Sequence, residues 1–109
     1  MAGVSGGGTV CAAYTGAQTN TQLVASPGAG RTLVIQWAAI SSGATAGEVK
    51  LLDGSAGTVL FDAFVAINSS LAINCKRAPM VLTAATGLYV TTVTATPTRY
   101  TVGYTIEAA

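Results

Sequence analysis

The sequence predicts a single all-β domain, and three observations predict it. Segments rich in Val, Ile, Thr and Tyr follow one another from residue 9 onward, separated by Gly, Pro, Ser and Asn. Their spacing is close to the ~8–12 residues typical of a β-sandwich or barrel. Residues 60–67 and 78–85 could be read as helices, but both are shorter than the ~10–12 residues that a helix needs. With 109 residues, the chain forms one domain.

Turn signals bound each predicted strand. Ser26-Pro27-Gly28, Asp53-Gly54-Ser55 and Asn68-Ser69-Ser70 supply residues suited to chain reversals. Thr96-Pro97-Thr98 predicts a hairpin between the last two strands. The predicted strands are Thr9–Tyr14, Thr21–Ala25, Arg31–Ile40, Gly47–Asp53, Thr58–Val65, Ser70–Asn74, Met80–Thr83, Leu88–Ala95 and Thr98–Glu107.

Two strands show which faces are buried. In the last strand, Tyr100, Val102, Tyr104 and Ile106 alternate with polar or small residues, which predicts one packed face and one polar face. Residues 33–40 are apolar at nearly every position, as in a strand covered on both sides. We expect that strand to be central or to line an interface.

The charge content is the most unusual property of the sequence. Charged residues make up 8% of the chain and hydrophobic residues 50%, whereas an ordinary soluble domain is about 25% charged. So few charges cannot cover a free surface, so part of this surface is expected to lie against other protein. No apolar run approaches the ~18 residues of a membrane helix, and no amino-terminal pattern indicates an export signal. Basic residues are scattered, which argues against nucleic-acid binding.

Catalytic chemistry has almost no suitable side chains. The chain has no His, and its only carboxylates are Glu48, Asp53, Asp62 and Glu107. A Ser-His or Cys-His pair is therefore excluded, and no spacing suits zinc. We predict a protein that is not an enzyme and that needs no metal or cofactor.

Cys11 and Cys75 are expected to be reduced and buried, although the sequence leaves a disulfide between them open. The aromatic residues could form a carbohydrate-binding platform, but in a small β domain such residues are more often core or interface anchors. The aromatic candidates are Trp37, Tyr14, Tyr89, Tyr100 and Tyr104.

Two segments are candidate contact regions. Residues 1–8 are Gly-rich and lack periodicity, so they are expected to be mobile alone, either as a frayed end or as an arm that orders on a neighbour. Lys76-Arg77 is the one local concentration of charge. It is either a solvated loop or a docking contact with an acidic surface.

An ordered set of motifs resembles small jelly-roll proteins of tailed bacteriophage particles. The motifs are Ala-Ser-Pro-Gly-Ala-Gly-Arg-Thr-Leu-Val-Ile from Ala25, Leu-Leu-Asp-Gly-Ser-Ala-Gly-Thr-Val-Leu from Leu51, Ala-Ala-Thr-Gly-Leu-Tyr-Val from Ala84, and Tyr-Thr-Val-Gly-Tyr-Thr-Ile from Tyr100. The resemblance covers residues 25–109. It implies a jelly-roll β-sandwich over that range, preceded by a Gly-rich arm and first short strands in residues 1–24.

The resemblance further implies a capsid decoration, or cement, protein. Such a protein is assembled in the host cytoplasm and sits as a homotrimer on the outside of the phage head, where it clamps the major capsid protein. It carries no catalytic residues. The candidate capsid or neighbour contacts are Val4, Gly6, Gly7, Gly8, Arg31, Lys76 and Arg77. Two alternatives stay open: a trimeric tail or fibre module that binds a host receptor, and a carbohydrate-binding β-sandwich.

Overall fold

Nine strands make up the fold in a computed structural model that describes residues 4–75, 77–93 and 96–109. Their bounds are β1 Val4–Tyr14, β2 Gln18–Val24, β3 Arg31–Thr45, β4 Gly47–Asp53, β5 Thr58–Val65, β6 Ser70–Asn74, β7 Met80–Val81, β8 Leu88–Val93 and β9 Thr96–Ala108. β4, β5 and β6 have the bounds that the sequence predicted.

The strands form two antiparallel sheets. Sheet A has the order β1-β9-β3-β6, with β7 also paired to β3, and sheet B has the order β2-β8-β4-β5. The pairing is nested: β1 pairs with β9, β2 with β8, β3 with β6 and β7, and β4 with β5. This is the double-sheet arrangement of a jelly roll, so the predicted all-β antiparallel sandwich is confirmed.

Sheet A is organised around β3, the strand that we expected to be central or to line an interface. It lies between β9 on one side and β6 with β7 on the other. Its inward residues Leu33, Ile35 and Ile40 are essentially inaccessible to solvent. The pairing with β9 shifts register between Ile35 and Trp37, where a β-bulge inserts one residue.

The core lies between the sheets and is almost entirely aliphatic. β4 contributes Val49 and Leu51, β8 contributes Leu88 and Val90, and β9 contributes Val102, all fully buried. The deepest polar contact joins the sheets, because the Thr92 hydroxyl of β8 is hydrogen-bonded to the Tyr100 hydroxyl of β9. Burial raises the pKa of Tyr100, and the Thr92 hydrogen bond acts in the opposite direction. The Tyr14 ring packs edge-on against the Tyr100 ring, with 6.0 Å between the two ring centroids.

The β4–β5 hairpin is closed by the predicted Asp-Gly turn. Gly54 has a φ of 88°, a conformation that glycine adopts without strain. The Asp53 carboxylate accepts hydrogen bonds from the Thr83 hydroxyl at 2.7 Å and the Thr83 amide at 3.1 Å. Asp53 therefore ties the turn to the segment that follows β7.

One predicted connection is wrong. The last two strands do not form a hairpin, because β8 pairs with β2 and β4 in sheet B whereas β9 pairs with β1 and β3 in sheet A. Thr96 and Thr98, read as turn residues, belong to β9, and Thr98 is completely buried. A nested topology requires the chain to change sheets here, and turn-forming residues do not distinguish that crossing from a hairpin.

Candidate interaction surfaces

The candidate contact residues of the amino-terminal segment lie at one end of sheet A. β1 begins at Val4, which pairs with Glu107, and Gly6, Gly7 and Gly8 pair with Ile106, Thr105 and Tyr104 in turn. The glycines permit close strand pairing, since a side chain on Gly7 would come within 2.5 Å of the Tyr104 carbonyl oxygen. Residues 4–8, expected to be mobile, are therefore the start of an edge strand.

Arg31 lies at this same end of sheet A. It is exposed at the start of β3 and pairs with Ala108. In the next pair, Thr32 of β3 lies opposite Glu107 of β9. Glu107 pairs with Val4 of β1 on its other side. The structure thus brings Val4 and Arg31 to neighbouring positions, on either side of the last residues of β9.

Arg77 belongs to a different place in the molecule. It is exposed in the segment between β6 and β7, at the opposite edge of sheet A from β1. The segment leaves the sheet opposite the β3 bulge, where the Cys75 amide donates to the Gln36 carbonyl at 2.7 Å. Lys76, the other basic candidate, lies outside the described residues. The predicted contacts therefore form two groups rather than one site.

The outer face of sheet A is nearly free of charge. It is the face opposite the core, on which Thr101 and Thr105 alternate with the buried Tyr100 and Val102. Its described side chains are Thr9, Cys11 and Ala13 of β1, Arg99, Thr101, Thr105 and Glu107 of β9, Thr32, Val34, Gln36, Trp37, Ala39 and Ser41 of β3, Ser70, Ala72 and Asn74 of β6, and Val81 of β7. Arg99 and Glu107 are the only charged side chains in that set. They stand at opposite ends of β9.

Trp37 lies flat at the centre of this face. It pairs with Gly103, and a Cβ atom added to Gly103 would come within 2.0 Å of the indole nitrogen. The indole therefore occupies the space that a side chain at position 103 would need. Trp37 is half-buried in this position.

The outer face of sheet B has its charges in the middle. Glu48 and Lys50 of β4 form an ion pair at 3.7 Å, the only one among the described residues. Asp62 of β5 lies opposite Lys50 in the strand register. A hydrogen bond between the Asp62 and Glu48 side chains raises the pKa of the Glu48 carboxyl. Beside Glu48, on the adjoining strands, lie Phe64, which is 73% exposed, and Val93, which is 46% exposed.

The edges of the two sheets also differ. β1 and β6, the edge strands of sheet A, contain no charged residue and no proline, and β1 pairs in continuous register from Gly6 to Tyr14. In sheet B, the β2 pairing shifts register twice, and β5 carries Asp62 and a register shift of its own. Bulges and edge charges are devices that prevent a strand from pairing with another chain. Apart from the register shift between Val4 and Gly6 at the start of β1, the edge strands β1 and β6 of sheet A lack them.

The two cysteines are too far apart to form a disulfide within one chain. Cys11 lies on β1, and Cys75 directly follows β6, three strands across sheet A. Adjacent strands are about 4.8 Å apart, so the separation is about 14 Å, whereas a disulfide needs Cα atoms within about 7 Å. Both thiols are free, and burial raises the pKa of the Cys75 thiol. Cys11 is exposed, contrary to the expectation that both are buried.

The aromatic residues do not share one surface. Tyr100 is in the core, Tyr14 and Tyr104 pack against it, and Trp37 lies on the outer face of sheet A. Tyr89 of β8 donates its hydroxyl to Gln22 of β2. A coplanar platform for sugar rings is therefore not formed by these residues.

Small-molecule and metal chemistry finds little support in the described part of the chain. Two depressions there have volumes of about 200 and 190 Å³ and both border Arg99, whereas ligand pockets usually enclose about 300–1,000 Å³. No three His, Cys, Asp or Glu side chains come together there as metal ligands. Nor does any described segment form a helix with the length and apolarity to cross a membrane.

Comparison with known proteins yields structural likeness only. No family model matches the chain, and no curated protein matches it. A solved structure of Bacillus endospore appendages, described as a family of disulfide-linked pili, is similar over 94% of this chain and 86% of its own, with 17% identity and a TM-score of 0.51. The virus-like particle of the extra small virus of the giant freshwater prawn Macrobrachium rosenbergii matches over 98% and 82%, with 12% identity and a TM-score of 0.42. At these identities the first likeness extends to the fold alone.

Proposed function

We propose that this chain is a structural subunit that acts by packing against other protein surfaces, including copies of itself. The observation that carries the proposal is the state of sheet A. Its edge strands β1 and β6 have neither charge nor proline, and its outer face has charge only at its two ends. A domain that remained free in solution would need edge protection and a charged surface.

The specific form that we propose is a capsid decoration protein of a phage head, bound to the outside of the shell as a homotrimer. The motif order from Ala25 to Ile106 supports this assignment. Stabilisation would follow from mass action, because a protein that binds the assembled shell and not its separated subunits favours the shell. Arg31 and Arg77 are exposed and have no ion-pair partner among the described residues, which suits them to contacts with an acidic shell surface.

The experiment for this proposal measures shell binding. Purified protein is mixed with undecorated phage capsids and sedimented, and the capsid melting temperature is measured with and without it. We expect co-sedimentation and a higher melting temperature, both reduced by the double substitution Arg31→Glu/Arg77→Glu. Absence of binding, with no change in capsid melting, would overturn the decoration assignment.

A second candidate, a subunit of an extracellular appendage, is favoured by the cysteine positions. Since Cys11 and Cys75 lie at opposite edges of sheet A, a disulfide between them can only join two chains. The endospore appendages that share this fold are disulfide-linked pili. Electron microscopy of concentrated, oxidised protein separates the two candidates: reductant-sensitive filaments support the appendage, and discrete trimers support the decoration protein.

A further inference from the structure

The charge arrangement on the outer face of sheet A is self-complementary. Arg99 and Glu107 are each four residues from Gly103 along β9, and both point away from the core. Arg99 is exposed, and it forms no ion pair among the described residues. Glu107 accepts a hydrogen bond from the Thr105 hydroxyl at 2.9 Å, which holds its carboxylate on this face.

We infer that the outer face of sheet A binds the same face of a second copy of this chain, antiparallel, about a twofold axis that crosses β9 at Gly103. This contact rests on the proposed self-association, but it closes at two copies and is therefore an alternative to the threefold contact of a decoration trimer. A wild type that forms only trimers would overturn it. The axis lies between the two faces and runs across the strands, so each strand is covered by its own counterpart in the reverse direction. Arg99 of each copy then meets Glu107 of the other, and the exchange occurs twice, as an isologous interface requires.

The remaining positions on the face fit this arrangement. Thr101 comes opposite Thr105 of the second copy, because these positions also lie equally far from the axis. Thr32 and Val34 of β3 are buried within the chain and contribute little to the contact. Trp37 is level with Gly103 and meets its own counterpart. A flat, half-buried Trp at the centre of a face with charge only at its ends is the usual arrangement of an interface core and rim.

The area is sufficient for a specific dimer. Four strands spaced about 4.8 Å apart, over the eight steps of about 3.4 Å between Arg99 and Glu107, present about 19 by 27 Å. Each copy would then bury about 500 Å², or about 1,000 Å² in total, which is the lower limit of a specific interface. The other twofold arrangement, with the axis parallel to the strands, would place Arg99 of one copy against Arg99 of the other. Charge therefore favours the antiparallel arrangement.

Charge reversal tests the contact. Arg99→Glu places two carboxylates opposite each other, and Glu107→Arg places two guanidinium groups opposite each other. We expect each variant to lower the dimer association constant at least about tenfold in sedimentation equilibrium. An equimolar mixture of the two variants, and the double variant Arg99→Glu/Glu107→Arg, should recover association, because opposite charges face each other again.

A matched control and a spectroscopic signal complete the experiment. Asp62→Arg reverses an exposed carboxylate on β5 of sheet B, away from this face, and it should leave dimerisation unchanged. Trp37 is the only tryptophan, so its emission should shift to shorter wavelength as wild-type concentration rises, and Arg99→Glu should not show that shift at the same concentrations.

The outcomes separate this contact from the broader proposal. If the wild type associates and both single reversals associate equally well, or if their mixture recovers nothing, another surface makes the contact and only the assignment to sheet A fails. If the wild type is monomeric at every concentration, self-association itself fails, and the twofold contact fails with it. Circular dichroism of each variant confirms that the sandwich is intact.

Discussion

Sheet A and sheet B share one core but have opposite surfaces. The outer face of sheet A holds its two charges at the ends, around a flat centre formed by Trp37 on Gly103. The outer face of sheet B holds Glu48, Lys50 and Asp62 in the middle. The edge strands of the two sheets also differ. Register shifts interrupt both edge strands of sheet B, and β5 carries a carboxylate, whereas the edge strands of sheet A have a register shift only at the start of β1. The outer face of sheet B combines charges with the exposed Phe64 and Val93, whereas the outer face of sheet A is nearly free of charge.

The largest difference should be between the inside of sheet A and the outside of sheet B. Leu33→Ala removes a completely buried side chain and should cost about 2–5 kcal/mol of unfolding free energy. Phe64→Ala removes a larger side chain that is 73% exposed, and it should change stability by no more than about 0.5 kcal/mol. Urea unfolding measures both. A large loss in Phe64→Ala at low protein concentration would show that Phe64 is covered within the single chain.

Gly103→Ala probes the flat centre of sheet A. The added methyl group would collide with the Trp37 indole, so we expect a loss of about 1–3 kcal/mol in urea unfolding. Gly16→Ala is the matched control, because nothing lies within 4 Å of the added atom. In a Trp37→Ala background the same change at Gly103 should cost little. An equal cost in both backgrounds would mean that the indole is not the obstacle.

The smallest effect concerns the charged centre of sheet B. The Glu48 pKa is raised chiefly by the hydrogen bond with Asp62, so Asp62→Asn should lower it toward its ordinary value. The folded protein holds this proton more tightly than the unfolded chain does. Between the ordinary and raised values, this group's contribution to stability therefore falls as pH rises. The Glu48 side-chain carboxyl shift, followed by NMR titration, measures the change, and an unchanged titration curve would contradict the assigned cause.

Strand positions were predictable from the sequence because burial and turn chemistry are local properties. β4, β5 and β6 alternate or end at clear turn residues. Residues 33–40 of β3 are apolar at nearly every position, which predicted the strand, but only its inward face is covered by the core rather than both faces as expected. The start of β1 was not predictable, since its glycines have no side chains from which alternation can be read, and their order comes from pairing with β9.

Sheet membership and the sheet A surface needed the three-dimensional structure. Alternation shows which residues share a face but not which strand lies beside them. The sequence therefore predicts a hairpin between β8 and β9, where the chain in fact crosses from one sheet to the other. Arg99 and Glu107 have the same parity along β9, a signal present in the sequence. Their role in a contact surface could be inferred only once Trp37 was placed between them. The bulge at Gln36 changes the alternation of β3 just before Trp37, so alternation does not show on which face Trp37 lies.

The nested pairing of the strands also has a consequence for the order of folding. β9 follows the other eight strands along the chain, yet it lies in the middle of sheet A between β1 and β3. Neither neighbour can complete its pairing until β9 has been made, and contacts of such long sequence separation form slowly. The outer face of sheet A cannot exist before that step. A chain in which β9 has not yet docked would therefore be unable to engage a partner through this face, so assembly through it follows the folding of β9.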